Sequence, residues 1–441
     1  MKLFFNLSLL MLTMLLCACG SGVASSDTIR TMVDEMGREK QVIKLAAIDN
    51  SQWLSTAIYG FNKSNENYHV EANYYMAADY RPSSIAKLYE MVDEATTRFN
   101  IDLAAGNVPD IFVSHRIMQT NSYISKGLFA DINEFIDNDP DFNRADFLPS
   151  LFEVFDRKGN MYEISPLFHL NVIQAKTADV GTDTSWTLDE FAAFIETKPD
   201  AQYIIGDMTK RDFIITMTQY LFINPVSGEI TFDRDEFKKI LRVAERFPAE
   251  LPQAYDLFRD WDEFRMGAKD GDPLMVINIV TDYYNIKIQE NSYFGEETTL
   301  KGWPSPTGNG VRFRFFEYFS IIKPAENSEG AWEFLKYILY NAKHPTGYLN
   351  PMNLSLLDVL AEKEIERFSN ARNPMSESFS RAEIDKLMML YKSASAIDRE
   401  DPTISAIIDA EIGSYLSGQR SDDTIIDIIE NRIAIYLAEQ D

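Results

Sequence analysis

Cysteine is almost missing from this chain. Of its 441 residues only Cys17 and Cys19 carry a thiol, both within the first twenty positions. The remainder therefore has no disulfide to draw on and must be held by packed cores alone. Histidine is nearly as scarce: the four residues are scattered and not spaced as metal ligands. There is no Gly-x-Ser-x-Gly elbow, no His-Glu-x-x-His pair and no phosphate-binding loop, so no cofactor is expected. Past the first eighteen residues no apolar run is long enough to cross a bilayer. Basic residues are outnumbered, 42 Lys and Arg against 68 Asp and Glu, and the net charge of −26 repels phosphate backbones and anionic lipid heads. Nucleic acid is excluded as a partner.

What is present begins at the N-terminus. Met1-Lys2 is a short basic start, and Leu3 to Leu16 is an apolar run too short for a membrane span, the pattern of a secretion signal. A cysteine follows directly after Leu16-Cys17-Ala18, an arrangement that resembles the lipobox of bacterial lipoproteins, where the thiol takes a diacylglycerol. Residues 1–18 are thus expected to be a lipoprotein signal peptide, and Cys19 the lipidated first residue of the mature chain. Cys17 suits the cleavage less well because bulky Leu16 precedes it, and a plain signal peptide with two chance cysteines is the alternative. Residues 19–40 would then be the lipidated N-terminus and spacer, with the small polar stretch Ser21 to Ser26 holding the domain off the extracytoplasmic face of the cell membrane.

A mature chain of this length buries two ordinary cores. Val33 to Glu39 suggests a turn between two short strands. Gln41 to Ile48 reads as a strand, Trp53 to Phe61 as a helix, Tyr68 to Met76 as a strand, Ser84 to Ala105 as a long helix and Val108 to Val113 as a buried strand. That βαβαβ order predicts a parallel, doubly wound sheet. Lys158-Gly159-Asn160 is a hairpin turn leading into a strand from Met161 to Pro166. Thr187 with Glu190 forms a capping box before an apolar stripe, and Asp233 with Glu236 repeats it. Pro273 to Val280 is an apolar strand, so a second α/β unit spans Pro166 to Leu300. Gly302 to Gly310, rich in glycine and proline, is expected to cross between lobes. Phe313 to Lys323 reads as one strand, and the chain from Ile365 onward as largely helical, its last helix capped by Ser421 and striped by Ile425, Ile429, Ile433 and Leu437.

Five short stretches, in this order and at this spacing, carry a family resemblance: Leu103-Ala104-Ala105-Gly106-Asn107-Val108-Pro109-Asp110-Ile111-Phe112, Gly127-Leu128-Phe129-Ala130-Asp131-Ile132, Ser185-Trp186-Thr187-Leu188-Asp189-Glu190-Phe191, Gly302-Trp303-Pro304-Ser305 and Ala331-Trp332-Glu333-Phe334-Leu335. The chain resembles an extracellular solute-binding protein of the carbohydrate-uptake type, the lipid-anchored receptor of an ABC importer, over essentially all of its mature length. The resemblance implies a two-lobed periplasmic-binding-protein-like α/β fold, doubly wound sheets joined by crossing hinge strands, with ligand in the cleft. It implies lobe 1 over 41–166 and 304–345, and lobe 2 over 167–303 and 346–441. The partners implied are a carbohydrate ligand and the transmembrane subunits of an ABC permease, with the receptor acting as a monomer. Thr28 to Lys40 and Asn350 to Asn353 depart from the family pattern.

Sugars are held by flat aromatic faces and by planar polar groups that bond paired hydroxyls, and in doubly wound sheets both should sit at the carboxyl ends of strands. This selects Asn50, Gln52 and Trp53 after the first strand, Asp79 and Tyr80 after the second, and His115 and Arg116 after the third. The second unit offers Asp282 and Tyr283, and the linkers offer Phe168, His169 and Trp303. The resemblance adds that the loops holding Trp53, His115 and Tyr283 contact ligand in relatives. Each has a plainer reading: Trp53 and Tyr283 as core, Trp303 as packing, Arg116 as one half of a surface ion pair, His115 as a satisfied polar residue, and Asp110 as a cap on local backbone. Two other classes compete with the receptor. A glycosidase needs two carboxylates across a cleft, and nothing selects a pair from 68 acids; a surface adhesin needs a large exposed apolar patch.

Overall fold

The computed structural model describes residues 29–77, 82–222, 232–251, 267–281, 286–287, 289–323, 325–342, 349–369 and 380–439. Its strands, in chain order, are β1 (Thr31–Val33), β2 (Glu39–Ala47), β3 (Tyr68–Tyr74), β4 (Ile111–His115), β5 (Leu167–Lys176), β6 (Met275–Val280), β7 (Thr298–Lys301), β8 (Arg312–Arg314), β9 (Glu317–Ile321), β10 (Asn350–Pro351) and β11 (Ala396–Ile397). The principal helices are α1 (Gln52–Ser64), α2 (Ile85–Ala104), α3 (Leu188–Glu196), α4 (Lys210–Phe222), α5 (Arg234–Ala244), α6 (Ser328–Asn341), α7 (Leu354–Ser369), α8 (Arg381–Ser393), α9 (Pro402–Leu416) and α10 (Asp422–Ala438).

The first sheet follows from strand alternation. Along β2, Ile43, Leu45 and Ala47 enter one core while Ala46 and Ile48 enter another. β4 divides the same way, Ile111 and Val113 from Phe112. A strand buried on both faces needs a helical layer on each side. α1 supplies one with Trp53, Leu54, Ile58 and Phe61 buried, and Val92, Ala95 and Phe99 of α2 supply the other. β2 lies between β3 and β4, parallel to both, and β4 pairs antiparallel with β9. β1 turns back on β2 as an antiparallel hairpin, with Gly37 at φ 77° in its turn. Asp110 closes the arrangement: its carboxylate accepts from the backbone N of Lys44 at 2.7 Å and of Asn327 at 2.9 Å, joining β2 to the start of α6.

The second sheet is organised differently. Ten-residue β5 is its axis, paired antiparallel with β6, β7, β8 and β10, while β11 runs parallel to β8. Ile173 and Ala175 pack into a core that also takes apolar residues of α3, α4, α5, α9 and α10, whereas Leu170 and Val172 join the core under the first sheet. The capping box at Thr187 is complete, with Thr187 N donating to Glu190 at 2.7 Å and Glu190 N to the threonine hydroxyl at 3.2 Å. Asp233 caps α5 through Asp235 N and Glu236 N, both at 3.0 Å.

Two passages connect the sheets. Ile164 still bridges Phe319 of the first sheet, and Leu167 already begins β5. The expected strand from Met161 to Pro166 is reduced to that one bridge. The return lies between Arg314, which ends β8, and Glu317, which begins β9. The strand expected over Phe313 to Lys323 is therefore two strands in different sheets, broken at Phe315-Phe316. This corrects the crossing placed at Gly302 to Thr307, and with it the lobe boundary between 303 and 304. Trp186 Nε1 donates to the Gly302 carbonyl at 2.8 Å and Trp303 N to that of Gly310 at 3.1 Å, so this loop folds onto the second core instead of leaving it.

Candidate functional site

The passage at Phe315-Phe316 brings three elements together. Phe315 turns into the core, and Phe316 turns out, its side chain 43 % exposed. The Phe316 ring lies 4.9 Å from that of His169, near the start of β5, and its carbonyl accepts from Arg116 N, just past β4, at 3.0 Å. The Arg116 side chain is mostly buried, and its ion pair among the described residues is with Glu400 at 3.9 Å. Arg314, the register partner of His169, meets Asp398 at 2.9 Å. Burial, with Arg314 and Arg116 nearby, pushes His169 down to about 3, so the ring is neutral. Burial and the neighbouring Arg116 also lower Arg314, to about 10.

The segment after β11 completes the wall. Arg399 is a partner of Glu163 at 2.8 Å, donates to the Met118 carbonyl at 2.7 Å and lies 4.1 Å over the Tyr318 ring. Burial alone would raise Glu163, but Arg399 and Arg157 overcome it and hold the carboxyl below its usual range. The Tyr89 hydroxyl donates to the Glu400 carboxylate, and Gln119 Nε2 to the Glu400 carbonyl at 3.0 Å. Beside the passage, Glu317 is 4 % exposed. Neither of its carboxylate oxygens has a hydrogen bond of normal geometry, and burial, reinforced by Asp49, pushes it up to about 8. Only the Ser51 hydroxyl and the Trp53 indole lie close enough to favour its ionised form.

The residues selected from sequence separate into three groups. Arg116 is at the passage, as is His169. Asn50 and Gln52 lie on the loop and first turn before Trp53, with the Asn50 side chain accepting from Ser55 Oγ at 3.3 Å and Gln52 exposed. Four others are corrected to interior positions. Trp53 is 5 % exposed and edge-on to Phe319; Phe168 is fully buried between Phe313 and Tyr391; Trp303 belongs to the second core. His115 is buried, accepts weakly from Ile117 N at 3.4 Å, and is pushed to about 3 by burial and Arg116. In each case the neighbouring strand or core takes the surface a ligand would need. Asp79, Tyr80, Asp282, Tyr283 and Cys19 lie outside the described residues. Phe316, Glu400 and Arg399 were missed; the exposed phenylalanine in an apolar strand pattern was the available signal.

A cavity of about 900 Å³ lies elsewhere, between α8 and the stretch from Ile286 to Leu300. Its charged groups satisfy one another, Lys287 pairing with Glu290 at 2.9 Å and also with Glu383. Among the described residues no group of three or more His, Cys, Asp or Glu could hold a metal ion, and no helix is long and apolar enough to cross a membrane.

Two α/β lobes that exchange strands, with aromatic and paired charged groups gathered at the exchange, define a binding protein of the periplasmic type. The chain belongs to the bacterial extracellular solute-binding protein family, whose model matches residues 48–343. It is therefore a binder of solutes on the extracytoplasmic side, and the glycosidase alternative falls. No curated protein matches it. Among solved structures it is similar to the sugar-binding protein MalE from Xanthomonas citri (13 % identity, TM-score 0.59, 91 % of this chain and 98 % of that one). It is also similar to a family 1 extracellular solute-binding protein from Alicyclobacillus acidocaldarius (14 %, 0.57, 90 % and 98 %). A third is the cyclic alpha-maltosyl-1,6-maltose binding protein from Arthrobacter globiformis (15 %, 0.56, 90 % and 99 %).

Proposed function

We propose that this protein is the substrate-binding lipoprotein of an ABC importer, capturing a sugar or oligosaccharide between its lobes and delivering it to the transmembrane permease. The observation that carries the reading is Phe316: an exposed aromatic ring at the strand exchange, packed on His169 and bonded through its carbonyl to the Arg116 backbone, sets a flat apolar face in the same passage as arginine hydrogen-bond donors. Fold likeness to a MalE and to a maltosyl-maltose binding protein agrees with it. Ligand contacts are Phe316 and Arg116, with Asn50 and Gln52 beside them, and Asp79, Asp282 and Tyr283 are added on the sequence pattern alone. Closure is a rotation at Ile164–Leu167 and Arg314–Glu317. Cys19 carries the lipid that anchors a monomeric receptor to the outer face of the cell membrane.

A saccharide library tests the function directly. A true ligand at a hundred times its Kd adds about 2.7 kcal/mol of stability and raises the melting temperature; if only peptides or amino acids do so, the carbohydrate reading fails. Anchoring is tested separately by Cys19→Ala, which should release the protein from membranes or leave it unprocessed. A variant that stays bound and normally processed would remove the lipid anchor from the proposal.

A further inference from the structure

In a chain of net charge −26, two arginines gather at the strand exchange: the Arg116 backbone bonds the Phe316 carbonyl, and Arg116 and Arg314 both lie near His169, whose ring is 4.9 Å from that of Phe316. They are not equivalent. Arg314 has its charge compensated by Asp398 at 2.9 Å, although its Nε is without a hydrogen bond of normal geometry. Arg116 makes no side-chain hydrogen bond among the described residues; its one ion pair, with Glu400, is 3.9 Å long, and that carboxylate already accepts from the Tyr89 hydroxyl. The Arg116 side chain is only 18 % exposed, so water satisfies little of a fork built to grip two oxygens at once. The adjacent His169 is buried and neutral, its Nδ1 without a hydrogen-bond partner. A neutral sugar hydroxyl would use one or two of the donors on Arg116, whereas a carboxylate matches the fork and compensates its charge.

Resting on the carbohydrate reading above, we propose that the ligand is an acidic saccharide, a uronic-acid-containing sugar whose ring lies on Phe316 and whose carboxylate pairs with Arg116. Arg314 and its Asp398 form the neighbouring wall, and Glu400 is the group that the ligand carboxylate displaces from Arg116.

Calorimetry on the mature, unlipidated chain, with glucuronic- and galacturonic-acid oligosaccharides and their carboxyl-reduced counterparts, tests this. The acidic member of at least one pair should bind more tightly than its reduced form, and less tightly as ionic strength rises. Arg116→Gln should weaken the acidic ligand by about tenfold or more, and by clearly more than it weakens the reduced one. Glu400→Gln should tighten the acidic ligand, a gain that a purely structural role for either residue does not give. If the reduced forms bind as well as or better than the acidic ones, or Arg116→Gln weakens both alike, the acidic-sugar inference is overturned and the receptor stands. If no saccharide of any kind binds, the carbohydrate reading fails and takes this inference with it.

Discussion

Arg399 and Glu163 stand 2.8 Å apart with both side chains less than a tenth exposed, and they tie the segment after β11 to the loop before the first passage between the sheets. The pair is well furnished: Thr120 donates to Glu163 at 2.9 Å, and Arg399 reaches the Met118 carbonyl. Removing one member leaves a buried charge with poor compensation, since Arg157 stays 3.8 Å from Glu163. Arg399→Ala should therefore lower unfolding stability by about 3–5 kcal/mol, while the double replacement Arg399→Met with Glu163→Leu should lose much less. Urea unfolding of both variants decides it; a single substitution costing under about 1 kcal/mol would mean the pair behaves as a solvated one.

Phe316 and Trp53 separate binding from packing. Phe316 is exposed at the strand exchange, so Phe316→Ala should reduce saccharide affinity by on the order of 2 kcal/mol, more than tenfold in Kd, with the melting temperature nearly unchanged. Trp53, buried against Phe319, should behave oppositely, its truncation to alanine costing about 3–5 kcal/mol of stability. Affinity and melting temperature measured on both variants check the assignment. Equal affinity in Phe316→Ala and the parent would take the ring out of the site.

Gly310 is required for a close backbone approach. A Cβ built there would stand 1.6 Å from the Trp303 carbonyl oxygen and 2.6 Å from its carbon, a clash with main chain that no rotamer relieves. Gly310→Ala should destabilise the second core by about 3 kcal/mol or more, as backbone incompatibilities do. Thermal unfolding would show it, and a melting temperature matching the parent would mean that the loop from Gly302 to Gly310 shifts at little expense.

How much of this was legible in the sequence depended on range. The β2–α1–β3–α2–β4 order was readable because apolar periodicity and local caps such as Thr187 act over a few residues. The break at Phe315-Phe316 was not, because Phe313 to Ile321 reads as one continuous aromatic-rich run and nothing local says that β8 and β9 enter different sheets. Glycines and prolines at Gly302 to Gly310 signalled a turn correctly, but a turn folded back on Trp186 and a hinge have the same composition. Arg116 was reachable as a residue following a strand. Its surroundings were not, since Glu400 and Arg399 approach from the far end of the chain, with Arg399 236 residues beyond Glu163.

Glu317 should make stability fall with rising pH. In the fold it keeps its proton to about 8, against 4.5 for an ordinary glutamate, so between those values the folded state holds a proton that the unfolded chain has released. Its contribution is complete below about 4.5 and is lost progressively up to about 8. The groups around it are Asp49, itself raised by burial, Ser51, Trp53, Tyr74, also raised by burial, and His115, held neutral. His115 and His169, both near 3, act with the opposite sign below the ordinary histidine value of 6.5, where the unfolded chain takes up protons that the fold refuses. The histidine effect is half spent at pH 6.5 and gone by about 7.5, so Glu317 is isolated by comparing the parent with Glu317→Gln between about pH 6.5 and 8. Across that range the parent should lose on the order of 2 kcal/mol relative to Glu317→Gln, which keeps the shape without the titrating proton and should be the more stable of the two at pH 8. Urea midpoints at pH 6.5, 7.2 and 8 measure this directly, and parallel lines for the two proteins would show that Glu317 is ionised in the fold.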